Sequence, residues 1–264
     1  MDDAITSGEL RLGAHFARPA TPARGPGVVL CHGFPRGPRG AAASAVTFPE
    51  LADRIARQVG WTALVFNLRG TGSSEGDFSA RGWFDDIRAA VDVLIADTTG
   101  VWLVGVAEGG TFALVAAADD PRVRGVGTIS APRSLGDARD ANRLRSFARN
   151  AGMIRSENFP SDVGAWAREA AAVDAVREAS RVAPRPVMVM HGADDATVPV
   201  DEARAIAAAV GPSAELHVLG AAGDRLRHDP RAIATLLGWL EQQPVSLLQP
   251  AGTPPRDDRP TPPT

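Results

Sequence analysis

The fold is decided by residues 101–110, which read VWLVGVAEGG. Residues 101–105 form a short apolar run rich in β-branched side chains, and this pattern predicts a buried strand. The glycines that follow predict a turn, and residues 109–118 predict a helix. A strand that passes through a turn into a helix is the repeating unit of α/β proteins.

The same alternation continues on both sides of this stretch. Further strands are predicted at residues 27–31, 61–66, 123–130, 187–190 and 214–219, and further helices at residues 48–59, 81–97, 201–210 and after Asp229-Pro230. Thr47 and Glu50 have the spacing of a capping box at the start of one helix. Strands that alternate with helices predict a mostly parallel central sheet with helices on both faces.

Two segments interrupt the alternation. Residues 131–183 contain no strand-like run and carry helical patches, so we expect a helical insertion that forms a lid. Residues 244–264 are rich in proline and poor in apolar anchors, which predicts a disordered tail. The sequence therefore predicts a single domain over residues 1–243 followed by this tail.

Five short motifs occur in order along the chain, each at the end of a predicted strand. They read HGFP at 32–35, NLRGTGSS at 67–74, GVAEGG at 105–110, HGADDATVP at 191–199 and GAAGD at 220–224. In this order they resemble the α/β-hydrolase fold, and within it the branch of serine aminopeptidases, lysophospholipases and monoglyceride lipases. The resemblance extends from about residue 9 to about residue 242, with Asn67 where the family has an aspartate.

The resemblance implies roles for positions in each of these motifs except the second. Ala107 stands at the nucleophile position of the G-x-S-x-G elbow, Asp195 at the position of the triad acid, and Asp224 at the position of the histidine. The backbone N–H groups of Phe34 and Glu108 correspond to the two donors of the oxyanion hole.

Triad chemistry needs a hydroxyl that attacks, an imidazole that takes its proton and a carboxylate that orients the imidazole. Ala107 offers only a methyl group, and Asp224 cannot replace an imidazole as base and acid in the same geometry. The sequence therefore predicts a non-catalytic or very weakly active relative of serine hydrolases. We expect it to bind a small ester- or acyl-type ligand or a partner protein.

An active ester or amide hydrolase with an unorthodox site remains an alternative. Its site would use Glu108, Asp195, Asp224 or His228, with Glu108 as base or nucleophile if its carboxylate points into the pocket. The favoured interpretation places Glu108 in the first turn of a helix, where an acidic side chain interacts with the positive end of the helix dipole. A deliberate serine-to-alanine replacement would explain Ala107 but leaves Asp224 unexplained.

The insertion carries two groups of residues with open roles. Met153, Phe159 and Trp166 either line an apolar pocket or form the insertion's own core. Its arginines either attract an anionic group or form a solvated helix face, and they are Arg133, Arg139, Arg143, Arg145, Arg149 and Arg155.

No metal or cofactor is predicted. Cys31 is the only cysteine, which excludes an internal disulfide and a cysteine-rich zinc site, and we expect it in the core. Five residues are expected along the same edge of the sheet, but no pair has the spacing of a metal motif, and they are His32, Glu108, His191, Asp195 and Asp224. The glycines of residues 70–76 do not match the dinucleotide-binding spacing.

Composition excludes further classes of function. The chain has 264 residues, 44% hydrophobic, and a formal net charge of −3, so no basic field points to nucleic acid. No apolar run approaches the roughly 20 residues of a membrane span, and the acidic N-terminus does not resemble a signal peptide. We expect a cytoplasmic protein, and the sequence does not indicate its oligomeric state.

Overall fold

The computed structural model describes residues 3–20, 25–37, 39–136 and 140–243. Eight strands form one sheet in the order β1-β2-β4-β3-β5-β6-β7-β8. The strands are β1 Asp3–Ser7, β2 Leu10–Ala17, β3 Gly27–Cys31, β4 Thr62–Phe66, β5 Val101–Val106, β6 Val123–Ile129, β7 Val187–Gly192 and β8 Ala214–Leu219. β2 pairs antiparallel with both β1 and β4, and all other pairs are parallel.

In the described part of the chain, eight α-helices connect or follow the strands. They are α1 Phe48–Gln58, α2 Ala80–Asp97, α3 Glu108–Asp119, α4 Ala141–Asn150, α5 Val163–Ala171, α6 Ala175–Glu178, α7 Val200–Val210 and α8 Pro230–Glu241. The predicted mostly parallel sheet is thereby confirmed, and each predicted strand and helix is present. The sequence analysis missed β1 and β2, although the alternation of apolar and other residues over 10–17 is a strand signal.

Helices cover the sheet on both faces, as predicted. On one face α2, α3 and α7 bury Trp83, Phe112 and Ile206 against the sheet. On the other face α1 and α8 bury Ile55 and Trp239. Because the inner strands are covered on both sides, β3 and β5 are buried at every position, which explains their unbroken apolar sequence.

The predicted capping box at the start of α1 is wrong. The Thr47 side chain makes no capping hydrogen bond, and its backbone is already helical, with φ −97° and ψ −2°. A capping side chain reaches the first free N–H groups from an extended backbone. Here the chain enters α1 through a turn in which the Phe48 N–H bonds to Ala45 O, so Thr47 is not placed to cap.

The segment between β6 and β7 holds α4, α5 and α6, which agrees with the predicted helical insertion. Leu144, Met153 and Trp166 from this segment join the same apolar cluster as α2 and α3. The predicted disordered tail, 244–264, and Arg139 lie outside the described residues. Within the described ranges, no helix is long and apolar enough to cross a membrane.

Candidate functional site

The turn between β5 and α3 holds Ala107 in an unusual backbone conformation. Its φ is +51° and its ψ is −131°, a region that residues with a side chain rarely adopt. The sharp turn also brings α3 close against β5. A Cβ added at Gly105 would overlap the backbone of Gly109, so this close approach requires a glycine at position 105. The chain therefore forms a strained strand–turn–helix elbow and presents a methyl group at its apex.

The first residue of α3 reaches back over this elbow. The Phe34 N–H donates to Glu108 Oε2 at 3.0 Å, and the Arg36 guanidinium donates to Glu108 Oε1. Glu108 is buried, with 3% of its surface exposed, whereas 53% of the Arg36 side chain is exposed. The N–H group that the resemblance assigns to the oxyanion hole is thus bonded to a carboxylate of the same chain.

Close packing fixes this arrangement. A Cβ placed on Gly33 would lie 2.8 Å from Glu108 Oε2 and 2.9 Å from Ala107 Cβ. The loop after β3 therefore approaches the elbow closely only because residue 33 is a glycine. The helix-dipole interpretation of Glu108 is incomplete, because its carboxylate bonds to groups 72 and 74 residues away in sequence.

The acid loop after β7 holds Asp195 in a defined orientation. Oδ1 accepts hydrogen bonds from the N–H groups of Thr197 and Val198, both at 2.9 Å. The side chain is fully buried, and Oδ2 has no hydrogen-bond partner among the described residues. His191 Nε2 lies 3.6 Å from that oxygen and instead donates to Val198 O at 2.8 Å.

The loop after β8 contains Asp224, at the position that the resemblance assigns to the histidine. Asp224 is exposed, and its carboxylate makes no hydrogen bond to any part of the chain that the structure describes. Arg227 Nε donates to His228 Nε2 at 2.9 Å, and both residues are exposed. Partial burial and the positive charges of Arg227 and Arg225 lower the pKa of His228.

The unorthodox site considered above needs its members in contact. Within the described ranges, no hydrogen bond or ion pair joins Glu108, Asp195, Asp224 and His228. Glu108 is bonded to Phe34 and Arg36, and His228 is bonded to Arg227. A carboxylate within hydrogen-bond reach of an imidazole at the elbow is therefore not found among these four residues.

His32 and Cys31, at the end of β3, are both buried, and their environments give them structural roles. The Leu68 N–H donates to His32 Nε2 at 3.1 Å, so the ring proton lies on Nδ1, which bonds Gly33 O at 2.8 Å. Burial lowers the pKa of His32 to about 4, and it raises the pKa of the Cys31 thiol to about 12. Because of these environments, His32 is a neutral histidine that supports the neighbouring loop, and the Cys31 thiol is inert.

Aromatic residues of the insertion join the cluster of rings around Phe34, where Phe147 contacts Phe34 and Trp166 contacts Phe78. Trp166 is buried, and its indole N–H donates to Phe78 O at 2.9 Å, while Met153 is fully buried. Phe159 is partly buried against the same cluster. The Phe34 ring contacts Phe78, Trp83 and Phe147. Burial of this kind favours a core role over an open pocket lining.

Several arginines of the insertion form ion pairs or hydrogen bonds with other groups of the same chain. Arg133 pairs with Glu202 at 3.4 Å, and Arg155 Nη2 donates to Ser74 O at 3.0 Å. Arg149 Nη2 donates to three backbone oxygens of residues 156–159. Neither the solvated-face interpretation nor the anion-site interpretation anticipated these internal bonds.

The sequence analysis missed Arg36, which supplies the counter-charge of the buried Glu108. It lies in the HGFPRG stretch of residues 32–37, and no spacing rule connects it to residue 108. In the described parts of the chain, no group of three or more His, Cys, Asp or Glu side chains is arranged to hold a metal ion.

A family model described as alpha/beta hydrolase fold matches residues 26–181. The chain belongs to the α/β-hydrolase fold family. No curated protein sequence is similar enough to this chain to give a match.

Solved structures of other hydrolases share the fold. The alpha/beta hydrolase GrgF from Penicillium is 19% identical with a TM-score of 0.70, and the match covers 91% of this chain and 97% of GrgF. A meta-cleavage product hydrolase from Pseudomonas fluorescens, solved as a serine-to-alanine mutant complexed with acetates, is 17% identical. Its TM-score is 0.65, with 90% of this chain and 97% of that chain covered.

A monoacylglycerol lipase from Paleococcus ferrophilus also matches. It is 18% identical with a TM-score of 0.61, and the match covers 87% of this chain and 98% of the lipase. Identities this low establish the fold alone, so the narrower branch within the hydrolase family stays a prediction.

Proposed function

We propose that this α/β-hydrolase-fold protein is a non-catalytic, or at most very weakly active, relative of serine hydrolases that binds a ligand at the elbow. The observation that carries the proposal is the hydrogen bond from the Phe34 N–H to the buried Glu108 carboxylate. This bond occupies a donor that acyl transfer would need.

The chemistry of acyl transfer explains why the bond matters. The carbonyl oxygen becomes negative in the transition state and is stabilised by N–H donors aimed at it, and loss of one donor costs about 100- to 1000-fold in rate. Here the donor is engaged, and the negative charge of Glu108 would repel a second negative charge beside it. Ala107 supplies no nucleophile, and Asp224, exposed and unbonded, supplies no general base.

The same geometry bears on the ligand. An ester or acyl group of the expected kind would need the Phe34 N–H, so it would have to displace Glu108 from its buried position. We therefore favour a ligand that binds with Glu108 in place. In this proposal residues 1–243 form one domain, and the helical insertion at 131–183 acts as a lid over Phe34 through the aromatic cluster around Trp166.

An esterase assay tests the proposal. A panel of short- and medium-chain p-nitrophenyl esters is offered to the unmodified protein and to Asp195→Asn, and we expect both to match the buffer rate. The matched variant Ala107→Ser/Asp224→His reports whether the remaining machinery supports turnover once the missing groups are restored. Turnover by the unmodified protein that disappears in Asp195→Asn would establish an unorthodox hydrolase and refute the proposal.

A further inference from the structure

The two partners of the Glu108–Arg36 ion pair are held very differently. The Glu108 side chain is only 4% exposed, and the Phe34 N–H fixes one of its oxygens. Arg36 lies in a loop without helix or strand, and 53% of its side chain is exposed. Its guanidinium bonds to no group of the described chain other than Glu108. The carboxylate is therefore a fixed part of the fold, whereas the cation comes from the surface.

This asymmetry decides what can be exchanged at low cost. A half-exposed arginine that leaves the pair returns to water, so its own charge is not left unpaired in the protein interior. A buried carboxylate left without any cation is strongly destabilised. The elbow thus requires a positive charge next to Glu108 Oε1, but the charge need not belong to Arg36.

We propose that Glu108 is the binding site for a ligand with a guanidinium or primary ammonium group. The ligand cation replaces Arg36 on Oε1, while the Phe34 N–H remains bonded to Oε2. This inference rests on the proposed binding function and names the chemical class of its ligand. The site lies where β5 ends, and the carboxyl edge of the strands is where open α/β sheets bind ligands.

The surroundings favour a cation over an anion. A carboxylate ligand would have to take the Phe34 N–H and Arg36 from Glu108, which would leave the Glu108 carboxylate buried and unpaired. An amine disturbs only the exposed partner. Beside the carboxylate, the Ala107 methyl group and the partly exposed Phe34 ring offer apolar contacts to the ligand's carbon skeleton.

Methylguanidinium chloride and n-butylammonium chloride are suitable probes. Their binding is measured by isothermal titration calorimetry at constant ionic strength. Tetramethylammonium chloride is the control, because this cation has no N–H donors. The full chain is compared with Arg36→Ala, in which the internal competitor is removed. We expect Arg36→Ala to bind methylguanidinium at least about tenfold more tightly than the unmodified protein, because the unmodified site is mostly closed by Arg36. Arg39→Ala removes an exposed arginine of the same loop and should bind as the unmodified protein does.

A second experiment tests whether binding depends on the negative charge of Glu108. Arg36→Ala/Glu108→Gln keeps the side-chain shape without the negative charge, and we expect it to lose methylguanidinium binding. Equal binding by this double variant, no binding of either probe by Arg36→Ala, or equally tight binding of tetramethylammonium would overturn the inference. Acetate binding to the unmodified protein that Arg36→Ala abolishes would assign the site to anions instead.

Folding and activity controls keep the outcomes separate. The melting temperature of Arg36→Ala should rise on addition of methylguanidinium, and Arg36→Gln replaces it if the alanine variant does not fold. The ester panel is run on the same preparations. Ester turnover by the unmodified protein refutes the proposed function, whereas failure to bind the cation with no turnover refutes the inference alone.

Discussion

Two loops at the same edge of the sheet differ in how far their side chains are buried and hydrogen-bonded. The β4 loop, residues 67–79, buries Asn67, Thr71 and Ser74, and its backbone donates to His32, directly after β3, and to Asp86 of α2. The β8 loop, residues 220–229, exposes Asp224 and His228. Both loops carry motifs on which the resemblance in the sequence rests. The β4 loop has Asn67 where the resemblance leads us to expect an aspartate, and the β8 loop has Asp224 where it leads us to expect a histidine.

The contrast shows which parts of a motif serve the fold. Asn67 donates from Nδ2 to Ser44 O at 3.0 Å, and Ser74 Oγ donates to Asn67 O at 2.5 Å, so this loop is held by internal hydrogen bonds. The exposed end of the β8 loop has no such bonds at Asp224. The β4 loop therefore supports the fold through its own hydrogen bonds, whereas the Asp224 side chain does not.

The largest expected effect comes from detaching the β4 loop from α2. Arg69 pairs with the fully buried Asp86 through Nη2 at 2.7 Å, and the Arg69 N–H donates to the same carboxylate at 2.8 Å. Asp86→Ala should lower the free energy of unfolding by about 3–5 kcal/mol, because Arg69 is left without its partner. Urea denaturation measures the change, with the exposed neighbour Asp85→Ala as control. Similar losses in the two variants would contradict the structural role given to this loop.

The next effect is a pH dependence that originates at His32, which accepts the Leu68 N–H of the β4 loop. Its folded pKa of about 4 lies below the usual value of about 6.5, so the unfolded chain binds the extra proton between these values. Stability should therefore be complete above about pH 6.5 and fall as the pH drops toward 4. The loss is at most about 3 kcal/mol.

His32→Gln isolates this contribution. Glutamine cannot titrate, so we expect the decrease in stability between pH 6.5 and 4 to be smaller in the variant than in the unmodified protein. His228 and the carboxylates remain in both proteins and cancel in the comparison. Parallel stability curves, measured by urea denaturation at each pH, would show that His32 is not buried in neutral form.

The smallest effect is expected at the histidine position of the β8 loop. Asp224→Ala removes an exposed carboxylate without hydrogen bonds and should change the free energy of unfolding by no more than about 0.5 kcal/mol. Asp195→Ala removes a buried acceptor of two backbone N–H groups and should cost about 1–3 kcal/mol. A loss at Asp224 as large as that at Asp195 would show that the β8 loop is structurally important.

Local patterns in the sequence predicted most of the fold. The apolar run of β5 and the helical periodicity of α2 required only neighbouring residues, and both elements were found near their expected bounds. The position of the elbow at Ala107 followed from the resemblance, whereas its positive φ was found in the structure. The capping box failed because its outcome depended on how the preceding turn delivers Thr47, which a four-residue pattern does not contain.

The occupied Phe34 N–H could not be predicted in the same way. It depends on contacts of Glu108 with Phe34 and Arg36, which lie 74 and 72 positions before it in the sequence, and on the absence of a side chain at Gly33. The sequence placed Glu108 correctly in the first turn of α3. It gave no indication that the side chain turns back over the elbow toward β3 and meets Arg36 there.

The most direct test of the account compares Ala107→Ser/Asp224→His with Ala107→Ser/Glu108→Ala/Asp224→His in ester hydrolysis. Both variants regain a hydroxyl and an imidazole, but only the second frees the Phe34 N–H. If Glu108 blocks this donor, the triple variant should exceed the double variant by about 100-fold or more in kcat/KM. Equal rates in two folded variants, or a faster double variant, would contradict the claim that the Glu108 carboxylate closes the site to acyl transfer.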